Sequence, residues 1–494
     1  MLYNDQNDKY KEYIGKSLFI LSLFVFGLLI FLIIQKPFLH IDEWFTQGIL
    51  NISFKEMVHL TAIDVHPPLY YAIALIPVYL LKWLHIPFDM IFVMKMVSVV
   101  PYIILFAISL TKIRKDYGWL AGGLFAFTLL TMADFFTMFS IARMYPWGLL
   151  FLVVDFLFAC EILKNPTLKN WILLAIFAVC GAYTHYFVAI ASVILYVLLL
   201  IHVLLKDKSE IKHWFISTIF GILCFVPWLV FLFRQINSVT GNYWIQSITI
   251  NEFVQFFASA FMDTADFTVN IILALVFLAI FIAILIQYKK SQENSDLVLI
   301  GTLVFVGTII AGVTISFLFR PIFVVRYVIP ATGVLWLCIS IFISKFDLKK
   351  VIIPVLIVIL LFSVVNLSGQ ISEISKNHDT LVKNQEFLDS INNNDSVVII
   401  EGMVKYVHFH DQLNKSKVYG GFSVDEHKNA KDFTKFFDDE RSRFLMPDDF
   451  KKYQNKTVYI AYRSGDDLKL PKYVSKEKVG KVENCKFYKL TYKG

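Results

Sequence analysis

The strongest constraint on this chain is a run of apolar blocks, each about twenty residues long and separated by short basic loops. A block of that length crosses the roughly 30 Å hydrocarbon core of a bilayer as one helix. The balance of residues agrees: 57% are hydrophobic, 48 are Phe and only 17% are charged. The first block, Ser17 to Gln35, follows a polar start of mixed charge, and no small-residue cleavage site follows it. It is expected to remain as a span rather than to leave as a signal peptide.

Basic loops set the sidedness, because short cytoplasmic loops carry the excess of Lys and Arg. Lys112/Arg114/Lys115, Lys164/Lys169, Lys206/Lys208/Lys212, Lys289/Lys290 and Lys345/Lys349/Lys350 join the N-terminal Lys9, Lys11 and Lys16 on that side. The resulting spans are about 17–35, 91–111, 118–133, 145–163, 170–184, 187–205, 214–234, 269–287, 298–318, 327–344 and 351–368. An odd number of spans, about eleven, puts the N-terminus in the cytoplasm and the tail outside. The stretch 67–84 is also apolar, but Pro67, Pro68 and Pro77 disfavour an uninterrupted spanning helix. It reads as an interfacial or re-entrant segment on the outer side.

Two domains are expected: a membrane domain over 1–370 and a soluble extracytoplasmic α/β domain over 371–494. In the tail, "SVVIIEG" (396–402), "KVYGG" (417–421) and "TVYIAYR" (457–463) read as strands. The segments 403–413 and 448–453 read as helices, and "KVGKVENCKFYKLTYK" as a closing hairpin. One Cys of five lies in the tail, so no disulfide forms within it. The net charge of +7 sits in short loops and the tail, which gives no indication of nucleic-acid binding.

The outer loops hold the candidate chemistry. Asp42 and Glu43 stand side by side between the first span and Trp44–Phe45. They are either the start of a helix, which favours acidic residues, or a base for an incoming hydroxyl at the membrane surface. Asp64 and His66 flank a His-Pro-Pro turn and have the chemistry to meet a metal or a sugar hydroxyl. Arg143 and Tyr145 lie in "ARMY", and Arg320 and Arg326 in "FRPIFVVRY". Outer arginines either reach headgroups or clamp a phosphate through their planar fork. His185 in "THYF" is either an interfacial residue or a substrate contact.

"IDEWFTQGIL", "DVHPPLYY", "ARMY", "THYF" and "RPIFVVRY", in this order, resemble the bacterial and archaeal relatives of the protein O-mannosyltransferases and of the lipid A aminoarabinose transferases. These are GT-C fold glycosyltransferases, and the resemblance covers about residues 1–370. It implies an enzyme that takes a sugar from a polyprenyl-phosphate carrier on the extracytoplasmic face, with inversion. It makes Asp42, with Glu43 beside it, the catalytic carboxylates. Asp64, His66, Arg143, Tyr145, His185, Arg320 and Arg326 become substrate contacts. The 132–145 loop departs from the family pattern, offering only Asp134 as a second acid. Sugar, acceptor and any divalent metal stay open. A lipid or sugar transporter is the competing reading, with Asp155 as its in-span carboxylate.

Overall fold

The computed structural model describes all residues except 1, 40, 239–244, 402–408, 410–412, 414, 422–452, 454, 464–471, 483–484 and 493–494. The helices are α1 (Leu2–Gln35), α2 (Ile41–Leu50), α3 (Phe54–Ile63), α4 (Leu69–Trp83) and α5 (Met90–Ile108). One π turn joins α5 to α6 (Arg114–Tyr117). Then come α7 (Trp119–Thr131), α8 (Phe135–Ser140), α9 (Tyr145–Lys164), α10 (Leu168–Ala182), α11 (Tyr186–Lys206) and α12 (Ile211–Ser238). The last are α13 (Ile250–Ala258), α14 (Phe267–Lys289), α15 (Ser295–Leu318), α16 (Ile329–Ser344) and α17 (Ile353–Ile391). The protein is a polytopic helical membrane protein. Eight of its described helical segments are long and apolar enough to cross a bilayer.

The chain divides into two compact units, Met1–Gln35 with Thr61–Ser372, and Lys36–Leu60 with Glu373–Gly494. The cut expected at 370/371 therefore lacks one exchange, since residues 36–60 go with the tail. The reason lies within the second unit. Lys36 Nζ donates to Ser375 Oγ at 3.0 Å, and the His378 ring nitrogen lies 2.8 Å from Pro37 O. The helix α17 continues past its apolar stretch into this unit.

In the first unit, cross-loop contacts gather the basic loops at one end. Lys112 bridges Asp116 and Glu161, Lys206 meets Asp296, Lys345 meets Glu293, and Lys11 Nζ donates to Ser344 O. At the opposite end Leu69 N donates to Tyr183 O, Lys95 to Ser140 O, Gln235 to Thr61 O, and Asn366 to Ala133 O. Three of the shorter apolar helices, α7, α10 and α16, run between the same two ends as the eight long segments. That makes eleven among the described residues. The helix α4 differs. It starts beside Tyr183, and only a short loop separates its end from α5. Val97 in α5 is already at that same end, held by Trp147. Both ends of α4 thus lie on one side, as expected for an interfacial segment.

The short helices α7 and α16 are interior. Every residue from Leu120 to Thr131 and from Ile329 to Ser344 is buried, so both are apolar all round rather than on one stripe. Packing of α1 on α7 is close: a Cβ on Gly123 would stand 2.2 Å from Gly15 O. Small residues let membrane helices approach in this way.

The second unit holds a five-stranded sheet. Its strands are β1 (Ser396–Glu401), β2 (Lys417–Gly421), β3 (Thr457–Arg463), β4 (Val474–Val482) and β5 (Cys485–Tyr492), in the order β2-β1-β3-β5-β4. Parallel pairing of β1 with β2 and β3 buries "VVII" on both faces. The three expected strands and the hairpin are present; most of 403–413 and of 448–453 lies outside the described residues.

Candidate functional site

The His-Pro-Pro turn does more than stop a helix. Pro68 begins α4, and the bond from Leu69 N to Tyr183 O pins the turn to the end of α10. This brings Asp64 and His66 to the corner 141–145, which precedes α9. That corner is held from the other side by α5. Buried Lys95, 1% exposed, donates to Ser140 O at 2.8 Å, and Trp147 Nε1 to Val97 O at 3.0 Å.

Arg143 is 4% exposed. Its Nη2 lies 3.0 Å from His66 Nε2, and its Nη1 donates to Tyr71 OH at 3.3 Å. His66 Nδ1 lies 2.5 Å from Asp64 Oδ2. A guanidinium has only donors, so Nε2 must accept and Nδ1 must carry the proton. The chain of donation is therefore Arg143 to His66 to Asp64. Burial works to raise the Asp64 carboxyl, but His66 and then Arg143 outweigh it and hold the group below its ordinary range. Asp64 stays an acceptor.

His185 closes the other side. It caps α11, with Nδ1 accepting from Phe187 N at 3.3 Å. Burial first, then the neighbouring His66 and the positive Arg143 and Arg326, lower its pKa to about 3. A neutral ring is also what the cap requires. The His185 ring packs against Tyr327 at 4.9 Å and Tyr145 at 5.4 Å, and Arg326 lies over Tyr327 at 5.9 Å.

The structure thus assembles Asp64, His66, Arg143, Tyr145, His185 and Arg326 in one unit. Arg320, half-buried just beyond α15, lies in the same unit. Asp42 and Glu43 belong to the other unit, in the first turn of α2. Asp42 is half-buried and Glu43 fully buried. Because α2 starts at Ile41, its cap position falls at residue 40, outside the described residues, and Asp42 is not itself the cap. Trp44 is buried, because α2 turns it into the protein. Both ring nitrogens of His66 are engaged, so the Asp64–His66 pair does not offer the open nitrogen a metal would need. Among the described residues no three His, Cys, Asp or Glu side chains gather as a metal group. Asp155 is buried within its span and accepts from Ser192 Oγ at 2.7 Å.

Sequence reasoning missed Lys95, Tyr71, Tyr327 and Gln235. Lys95 had a visible signal, a lone charge inside an apolar run. Tyr71 and Tyr327 stood in the quoted segments, but nothing local marked them over their neighbours. Gln235 had none; it reaches Thr61 O at 2.8 Å across 174 residues.

Neither a protein-family model nor a curated relative matches the sequence. Solved structures do. The crystal structure of ArnT from Cupriavidus metallidurans bound to undecaprenyl phosphate superposes with a TM-score of 0.61 at 10% identity, covering 96% of this chain and 97% of that one. The apo form gives 0.63 at 9%, covering 96% and 98%. The chain has the fold of ArnT. At this identity the likeness to ArnT is one of fold. It is the GT-C architecture that the sequence resemblance implied.

Proposed function

We propose that this protein is a membrane glycosyltransferase that moves a sugar from a polyprenyl monophosphate carrier to an acceptor hydroxyl on the extracytoplasmic face. The supporting observation is the part-buried Arg143–His66–Asp64 chain at the end of the bundle away from the basic loops, in a fold shared with an ArnT crystallised with undecaprenyl phosphate. A donor whose lipid tail stays in the bilayer presents its anomeric carbon at that boundary.

In this reading Asp42 takes the acceptor proton as the oxygen attacks the anomeric carbon. The bond from that carbon to the phosphate oxygen breaks, and the electrons leave on polyprenyl phosphate. Arg320 and Arg326 meet the charge that develops there. A single displacement inverts the carbon. Glu43 orients the first loop, Asp64, held in place by His66, binds a sugar hydroxyl, and Tyr145 and His185 shape that pocket. The fork of Arg143, spent on His66 and Tyr71, acts as a strut.

The test is sugar transfer from a radiolabelled polyprenyl-phosphate sugar by the purified full chain. Asp42→Asn is expected to bind donor yet lose about 10²–10⁴ in turnover, the usual worth of general acid–base catalysis; Glu43→Gln loses less. Near-normal transfer by Asp42→Asn hands the role of base to Glu43 or Asp64. Movement of the lipid without transfer by the unaltered protein favours the transporter reading.

A further inference from the structure

At the basic end of the first unit lies an open cavity of about 550 Å³, where the ends of α9, α11 and α14 meet the start of α15. Lys164, Lys206 and Lys289 line it, against one carboxylate, Asp296. Lys206 spends its charge on Asp296 at 2.5 Å. Lys164 lies only loosely on Asp116, at 3.8 Å, and 4.4 Å over the Tyr117 ring. Lys289 is exposed and has no ion-pair partner among the described residues. The cavity thus keeps an excess of positive charge.

Backbone adds to this. The first turn of a helix leaves N–H groups without partners, normally met by the cap side chain. Asn294, at the cap of α15, sits at φ +63 in the left-handed region, and its side chain makes no capping bond. Ser291, three residues earlier, is also left-handed at φ +51. Ser295 N already donates to Gln292 O and Asp296 stands in the first turn, so the start of this 24-residue helix lines the cavity and the lysines supply most of its positive charge.

What lies alongside decides the class of ligand. Leu205, next to Lys206, is 78% exposed, and Ile286, one turn before Lys289, is 50% exposed. Both belong to segments apolar enough to cross a membrane. The ligand therefore meets charge at one end and apolar surface at the other, which suits an amphiphile and not a soluble anion. We infer that this cavity binds the phosphate headgroup of an anionic glycerophospholipid in the leaflet at the basic end of the bundle. Its acyl chains lie along α11 and α14. Basic pockets between spans on the cytoplasmic side recognise such headgroups. The site lies at the opposite end of the unit from the Asp64 group and is independent of the transfer reaction.

The experiment is native mass spectrometry of the purified full chain titrated with phosphatidylglycerol, phosphatidylcholine or inorganic phosphate. The unaltered protein is expected to retain phosphatidylglycerol selectively, and the selectivity to weaken with salt. Lys164→Gln with Lys289→Gln is expected to weaken phosphatidylglycerol about 10- to 30-fold, with two lysines removed from a membrane surface. Lys169→Gln with Lys349→Gln, which removes equal charge from the same side but outside the cavity, is expected to leave it unchanged. Equal retention of phosphatidylcholine overturns the proposal, as does an equal loss in both double variants. Inorganic phosphate binding as tightly as phosphatidylglycerol makes the site one for small anions and also overturns it. The lipid comparison on the unaltered protein needs no variant to fold.

Discussion

Replacing Arg143 with Lys separates a strut from a phosphate clamp. The substitution keeps the positive charge and so preserves the electrostatics around Asp64 and His185. It removes the fork. Arg143 reaches His66 Nε2 at 3.0 Å and Tyr71 OH at 3.3 Å from two different nitrogens. A single ammonium on a flexible stem serves one of them and leaves the other buried acceptor unmet. A hydrogen bond from a charged donor is worth about 1.5–3 kcal/mol. At about 1.4 kcal/mol per factor of ten, that is a loss of about 10- to 150-fold. Because the proposed mechanism puts Asp64 on the sugar and not on the carrier, the loss is expected in turnover, together with a lowered melting midpoint. Donor affinity should hold. Arg143→Met goes further, because it removes the donor from both His66 Nε2 and Tyr71 OH, and is expected to cost about 1–3 kcal/mol of stability for each. The assay is single-turnover transfer alongside donor binding and thermal unfolding in one detergent. A Lys variant that weakens donor binding as much as turnover places the guanidinium on the carrier phosphate and refutes the strut. A Lys variant unchanged in all three shows that the fork is not used.

Other outcomes follow from single features. Arg326→Lys or Arg320→Lys is expected to weaken donor binding strongly; normal affinity and rate in both place the phosphate elsewhere. His185 is held at about 3 against an ordinary 6.5, so below pH 6.5 the unfolded chain takes up the proton first. Stability from this residue is complete above pH 6.5 and falls as the pH drops towards 3, by roughly 3 kcal/mol at pH 4.5. His185→Asn keeps a competent cap and is expected to flatten that part of the pH dependence of melting; an unchanged slope contradicts the burial of a neutral ring. Gly123→Ala drives a Cβ against the backbone of Gly15 and is expected to cost about 1–3 kcal/mol, read as a lower melting midpoint. For sidedness, Cys placed at exposed Ser247 and Lys489 should label with an impermeant thiol reagent on intact cells, and Lys289→Cys should not. Labelling of Lys289→Cys instead inverts the arrangement. Ser396 is unsuitable as a tail probe because it is fully buried at the start of β1.

Much of the architecture was written locally. An apolar block either is or is not long enough to cross a bilayer, and the Lys between blocks count without reference to anything distant. So the eleven segments and the gathering of basic loops at one end were legible, as were the runs "VVII" and "TVYIAY" as strands. The Pro-rich stretch 67–84 was separable from the spans for the same local reason.

What closes at long range was not legible. Composition places α7 and α16 with the other spans, but only packing shows that they are interior and need no lipid-facing side. The polar start of the first outer loop gave no hint that residues 36–60 pair with the tail; that rests on Lys36 and Pro37 meeting α17 more than 330 residues later. Arg143 was visible as an outer arginine, and phosphate was the natural partner for it. Its actual hydrogen-bonded neighbours, His66 and Tyr71, lie 77 and 72 residues away. Hydropathy and the placing of basic residues between apolar blocks are sums over neighbours in the chain, so the sequence by itself determined them. A hydrogen bond between helix ends depends on how every intervening segment packs, so only the tertiary structure decided which polar groups share a site.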